Sequence, residues 1–179
     1  MLLGSQEAGD DWRVRWLGFS LNQTRVEEGD TDVWDDPEMA SARMAVEVGI
    51  AVRDGWPDAF PAVHRGLFAA RHDLGLDVRE HDVVADVLTR QDLDADEIFN
   101  VVLGGGPRDT FRAEHQGAVN DHKVFGVPTV IVDSRAVFIR LVDRPSGDAA
   151  AARHTIERCL DLATGWPNLN EFKHTTIPR

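Results

Sequence analysis

Apolar residues recur at helical spacing through the middle of the chain and at strand spacing on either side of it. Trp12, Val14 and Trp16 alternate with Arg13 and Arg15, the period of a half-buried strand, and predict a strand over residues 12–17. Gly18-Phe19-Ser20-Leu21-Asn22-Gln23 leaves it for a polar, acidic loop ending near Asp36. Asp36 as N-cap and Pro37 as first helical residue then start a helix over 37–53. Its buried stripe is Ala42, Ala45, Val48 and Val52, and Gly55 stops it. Helical spacing returns from Pro57 to Asp73 (Phe60, Val63, Leu67, Ala70) and from Asp82 to Arg90 (Val83, Val84, Val87, Leu88). Asp94 caps a segment carrying Ile98, Val101 and Val102, closed by Gly104-Gly105-Gly106, and Pro107 starts a longer helix to about Lys123. Residues 37–123 are therefore expected to be wholly helical.

The pattern changes at Phe125-Gly126-Val127-Pro128-Thr129-Val130-Ile131-Val132. Proline donates nothing to a ladder, so Pro128 belongs at the first residue of a strand. X-Pro bonds are also the only ones that turn cis at modest cost. A cis bond here would turn the backbone of Val127 outward at the sheet edge, within reach of an extended ligand. Strand 129–133 turns at Asp133-Ser134-Arg135 into strand 136–141, and so short a turn predicts an antiparallel hairpin. Pro145-Ser146-Gly147-Asp148 introduces a last helix to Ala163, with Ala149, Ala152, Ile156, Cys159 and Ala163 on its apolar face, and Gly165 ends it. There is no internal repeat and no low-complexity segment.

Bulk properties narrow the classes. At 179 residues, 42% hydrophobic and 28% charged, the chain is globular, of one-domain size, and able to bury a core without disulfides. A net charge of -12 argues against nucleic acid and anionic membrane as partners, both of which need a basic surface. One cysteine, Cys159, cannot form an internal disulfide, and a reducing, cytoplasmic setting is the expectation. Met1-Leu2-Leu3-Gly4 shows no basic or sustained apolar leader. The apolar runs fall short of the ~20 residues needed to cross a bilayer.

Strand, helical block, proline-led hairpin and terminal helix, in that order, resemble the DsbA-like branch of the thioredoxin superfamily. The residues that carry the likeness are Gly126-Val127-Pro128-Thr129, the segment ending Phe19-Ser20-Leu21, and the hairpin followed by a capped helix. The tail Trp166-Pro167-Asn168-Leu169-Asn170-Glu171-Phe172-Lys173 looks like the ending of actinobacterial members, including mycothiol-dependent nitroreductases. The resemblance implies an α/β fold, a thioredoxin-like sheet with an inserted all-helical domain. Residues 1–36 would hold the leading strand and loop, 37–118 the helical insert, and 119–179 the proline loop, hairpin, last helix and tail. It implies thiol-disulfide or low-molecular-weight-thiol-dependent oxidoreductase activity, with mycothiol or glutathione as co-substrate and no bound cofactor. The substrate would pair against Val127, Pro128 and Thr129.

The family pattern also has a first strand and a Cys-x-x-Cys or related motif ahead of the segment at Trp12. Only Met1 to Asp11 precede it here, matching at most the end of the first helix. The chain is thus expected to be inactive as written, either because its start was placed too far downstream or because it is degenerate; the intact apolar stripes favour the former. Cys159, mid-helix among apolar neighbours, is read as a core residue. A second function class is a non-catalytic binding module that keeps the Pro128 groove and receives the missing strand from a second copy, as a homodimer, or from a partner. A kappa-type glutathione transferase or isomerase is a third, and its key residue would also lie in the missing segment.

Other motifs have plainer readings. His115 and His122 lie seven apart on one helix with Glu114 and Asp121, too far for a compact metal pair; no metal is expected. Because this helix leads into the proline loop, either histidine is a candidate to line the ligand cleft. Gly104-Gly105-Gly106-Pro107-Arg108 lacks the Lys-Ser/Thr of a phosphate loop and reads as a helix stop and restart. Ser20 has no nucleophile frame. The acidic run Glu27–Asp36 reads as a solvated loop, and Trp12, Trp16 and Trp34 as packing over the sheet and insert or as an aromatic patch for a flat ligand.

Overall fold

The computed structural model describes residues 5, 7–140 and 147–171. The chain divides into two compact units, one of Trp16–Ala118 and one of Met1–Arg15 with Val119–Arg179.

In the Trp16–Ala118 unit the helices stand where the apolar spacing put them. Asp36 caps a 3-10 turn, Pro37–Met39, by accepting the Glu38 N–H, and α1 (Ala40–Gly55) continues it. Then follow α2 (Phe60–His72), α3 (His81–Thr89), α4 (Ala95–Leu103), capped by Asp94, and α5 (Gly106–His122). Helix α1 packs on α2 and α4, α2 on α3, and α3 on α4. Their shared core is Val48, Val52, Val63, Val84, Leu88 and Ile98, each wholly buried. The α2–α3 approach is close enough that a Cβ on Gly66 would sit 2.8 Å from Val87 Cγ1. Gly104 ends α4, Gly105 takes a φ of 84°, and Gly106 begins α5, as a stop and restart requires.

Two expectations are corrected in this unit. The end of the acidic run is not a solvated loop: Val33 and Trp34 are 4% and 2% exposed and join Ile50 and Phe111 in a second core cluster. Trp34 meets Phe111 edge-on at 4.8 Å. The flanking polar groups are paired as well. Gln23 Nε2 donates to Asp32 Oδ1 at 2.6 Å, and Gln23 Oε1 accepts the Val33 N–H at 3.0 Å. Arg112 reaches Asp32 and Asp35 at 3.3 Å. Arg43, in a buried ion pair with Glu47 at 2.8 Å, donates to the carbonyls of Val33 and Asp36. Two apolar residues inside a charged run have no periodicity, so burial here comes from long-range packing that spacing cannot reveal.

The second correction concerns the leading strand. Residues 12–20 form no ladder among the described residues; the only sheet is the hairpin. Alternation makes a strand only where a neighbouring strand pairs it. Side chains of helices satisfy this backbone instead. Glu114 accepts the Gly18 N–H at 2.7 Å, His115 Nδ1 accepts the Ser20 N–H at 3.3 Å, and Arg53 donates to the Trp16 carbonyl at 2.6 Å. Gly18 is required at this point, since a Cβ there would lie 2.7 Å from the Phe111 ring. Of the tryptophans in this unit, Trp34 is core and Trp16 lies half-buried against Phe60 and His64.

The other unit holds β1 (Thr129–Val132), β2 (Arg135–Phe138) and α6 (Ala149–Gly165). The strands pair antiparallel, Val132 opposite Arg135 and Thr129 opposite Phe138. Asp133 and Ser134, at φ 48° and 65°, make the two-residue turn. Among the described residues the thioredoxin-like sheet amounts to these two strands. Asp148 caps α6, which packs on both strands and buries Ala152 and Ile156. Trp12 lies beneath the Arg153 guanidinium, 5.9 Å from ring centre to Cζ, and Arg153 pairs with Asp11 at 2.8 Å. Pro145 and Ser146, read as the start of the last helix, and the tail from Phe172 lie outside the described residues.

Candidate functional site

Helix α5 ends at His122, and Lys123, at φ 56°, turns the chain out of it while its N–H closes on the Val119 carbonyl at 3.1 Å. Val124 is buried and anchors the loop. Phe125, 73% exposed, leans on Phe138 of β2, ring centres 5.3 Å apart. The Val127–Pro128 bond is cis. The Thr129 hydroxyl donates back to the Gly126 carbonyl at 2.6 Å, and the Pro128 carbonyl accepts the Ile139 N–H at 3.0 Å. The loop is therefore braced on both sides of Val127. Val127 itself is 45% exposed, and among the described residues neither its N–H nor its carbonyl has a partner.

This arrangement offers one main-chain donor and one acceptor between exposed apolar side chains, Phe125 and Val127. It suits an extended, peptide-like ligand. Pro128 is exposed and Thr129 half-buried beside it. His122 belongs to the same unit; its ring is half-buried, and its Nδ1 is buried without a hydrogen-bond partner.

His115 belongs to the helical unit. It is 5% exposed and packs between Phe19 (4.6 Å) and Trp34 (5.7 Å). Burial holds its pKa below the ordinary histidine range, against the opposing charge of Asp32. With Nδ1 occupied by Ser20, its visible work is to dock the 16–20 segment. Glu114 beside it is likewise structural: its side chain is 7% exposed and binds Arg53 at 2.9 Å. Spacing alone missed this pair of consecutive polar anchors. The available signal was two polar residues on a helix that must bury one face.

Ser20 is buried, and its hydroxyl accepts the Gln23 N–H at 3.1 Å, the work of a turn residue. Cys159 lies half-buried within α6, and burial pushes its thiol pKa up, away from nucleophilic use. Among the described residues no three His, Cys, Asp or Glu side chains are placed to hold a metal ion. No described helix is long and apolar enough to cross a membrane.

No curated protein matches the chain. The family of DSBA-like thioredoxin domains matches residues 36–144, more than half of the sequence, from Asp36 through helices α1 to α5, the proline loop and the hairpin. With Val127–Pro128 at the mouth of that hairpin, the protein belongs to the DSBA-like thioredoxin domain family.

Proposed function

We propose that the protein serves the thiol-disulfide chemistry its family suggests, and that these 179 residues supply the ligand-pairing half of the site. Val127, Pro128 and Thr129 hold an extended thiol or disulfide ligand through the free main chain of Val127, the observation that carries this reading. The co-substrate is a low-molecular-weight thiol, mycothiol or glutathione, in the cytoplasm of an actinobacterial cell, the lineage that the tail resembles.

The thiol half is not in this sequence. Dithiol exchange needs one thiolate of lowered pKa and a second thiol to resolve the mixed disulfide. Cys159 is alone, and its pKa is raised. The chain by itself is expected to reduce no insulin disulfide; measurable turnover would overturn this account of Cys159. Ligand pairing is tested by amide NMR with oxidised glutathione, oxidised mycothiol or a short cystine peptide. Shifts centred on Val127 and Thr129 are expected, and a spectrum unchanged there would reject the site.

The single unreactive cysteine favours a second reading, a non-catalytic module that binds extended peptides. A peptide and its Cys→Ser counterpart separate the two. Equal affinities support the module, whereas loss of binding with serine supports the redox role.

A further inference from the structure

The chain over 16–20 is fastened at every second residue by side chains of α1 and α5. Arg53 of α1 donates to the Trp16 carbonyl at 2.6 Å. Glu114 of α5 accepts the Gly18 N–H at 2.7 Å and pairs with Arg53 at 2.9 Å. His115, the next residue of α5, accepts the Ser20 N–H on Nδ1 at 3.3 Å. The first two fastenings share one carboxylate–guanidinium pair. The third is of another kind, because a ring nitrogen accepts a hydrogen bond only while it carries no proton.

The surroundings of His115 leave that nitrogen no alternative. The residue is 5% exposed and lies between Phe19 and Trp34, ring centres 4.6 and 5.7 Å away. With Nδ1 accepting, the neutral ring holds its one proton on Nε2. A second proton must go to Nδ1, where it faces the Ser20 N–H, donor against donor. The charged groups around the ring are committed elsewhere. Asp32, whose charge favours a protonated ring, is itself held by Arg112 at 3.3 Å. Glu114 is engaged by Arg53 and by Gly18.

Ser20 passes its fastening on. Its hydroxyl accepts the Gln23 N–H at 3.1 Å, at the start of the 3-10 turn Gln23–Arg25. Beyond that turn other groups take over. The Gln23 side chain is bonded to Asp32 and Val33, and the Val33 carbonyl is held by Arg43. All of these contacts lie within the Trp16–Ala118 unit.

We propose that His115 is a proton-operated latch: uptake of a solvent proton at Nδ1 frees Phe19 and Ser20 from α5 and opens the turn at Gln23, while Gly18 on one side and Val33-Trp34 on the other stay docked. Neighbouring residues of one helix thus respond differently to acid. Glu114 goes on holding Gly18 through its pair with Arg53, and His115 lets Ser20 go. The docking of residues 19–23 becomes a function of pH near neutrality, and the four-helix core that α1 to α4 share has no part in it.

NMR of the whole chain tests the latch. As pH falls from about 7.5, the ring nitrogen shifts of His115 report its protonation, with a midpoint below the ordinary value near 6.5 because the ring is buried. The Ser20 and Gln23 amides, corrected for intrinsic exchange, are expected to lose about tenfold in protection, the worth of one buried hydrogen bond, at that same midpoint. Gly18 and Val33 are expected to keep theirs. His115→Asn offers an amide oxygen that does not titrate, so Ser20 is expected to stay protected throughout. His115→Leu offers no acceptor, and Ser20 is expected to be unprotected throughout. Ser20 protection that outlasts protonation of the ring, loss at Gly18 and Ser20 together with the amides of α1, or a pH response of Ser20 retained in His115→Leu overturns the proposal. Should either variant unfold, the coincidence of ring and amide midpoints in the natural chain decides the matter.

Discussion

Glu114 and His115 show how single side chains hold an extended segment that no strand supports among the described residues. The Ser20 N–H is bonded to a histidine nitrogen that must stay unprotonated to accept it. Burial lowers the folded pKa of His115 below its ordinary value near 6.5. The unfolded chain therefore takes up the proton first as pH falls. The stability tied to neutral His115 is full above about pH 6.5 and is lost as pH drops below it. His64, also lowered by burial, acts with the same sign. Asp77, held down to about 2 chiefly by its hydrogen bond from Arg79, titrates far below this window. The urea midpoint is expected to fall between pH 7.5 and 5.5, and His115→Leu is expected to shrink that fall without abolishing it. The same variant loses about 1–3 kcal/mol at pH 7.5 by orphaning the Ser20 N–H. A pH dependence unchanged in His115→Leu would remove His115 from this role. The Arg53–Glu114 pair is tested by a double-mutant cycle. Arg53→Met leaves a nearly buried carboxylate without its cation and is expected to cost about 3 kcal/mol. In a Glu114→Gln background the same change costs at least about 1 kcal/mol less.

At the scale of elements, what could be read from sequence divides by the range of the interaction. The starts of α1, α4 and α6 are set by Asp36, Asp94 and Asp148, local caps visible in any short window. The proline loop and hairpin are equally local, since Pro128, the β-branched run and Asp133-Ser134 carry their own instructions. The candidate site was legible for that reason. The strand over 12–17 was not, because a strand is a property of a pair and nothing pairs with this segment among the described residues. The core position of Val33-Trp34 and the docking role of Glu114 and His115 depend on contacts about 60 to 100 residues away in sequence. Gly66 illustrates the same limit. In sequence it is a weak point inside α2, where alanine would gain about 1 kcal/mol of helix propensity. In the fold, its Cβ would meet the β-branched, buried Val87 at 2.8 Å, and overpacking of this kind costs about 1–3 kcal/mol. Gly66→Ala is expected to lower stability in the natural background and raise it when Val87 is alanine, a reversal that denaturant titration of the four proteins would display. A gain in both backgrounds would show that α2 and α3 part easily.

Across the whole molecule the two units differ in how much they bury. The Trp16–Ala118 unit has two core clusters built from five helices and the 33–34 segment. Among the described residues of the other unit, the buried apolar side chains are Ala8, Val124, Ala152 and Ile156. A two-stranded hairpin is at best marginal alone, and regions with few buried contacts open well before the global transition. Hydrogen exchange should separate the two. Amides within α1 and α2 are expected to exchange only through global unfolding, whereas those of Val130 and Val132, bonded to β2, exchange through a cheaper local opening. Equal protection of the α1 and α2 amides and of Val130 and Val132 would show that the hairpin opens only with the whole molecule.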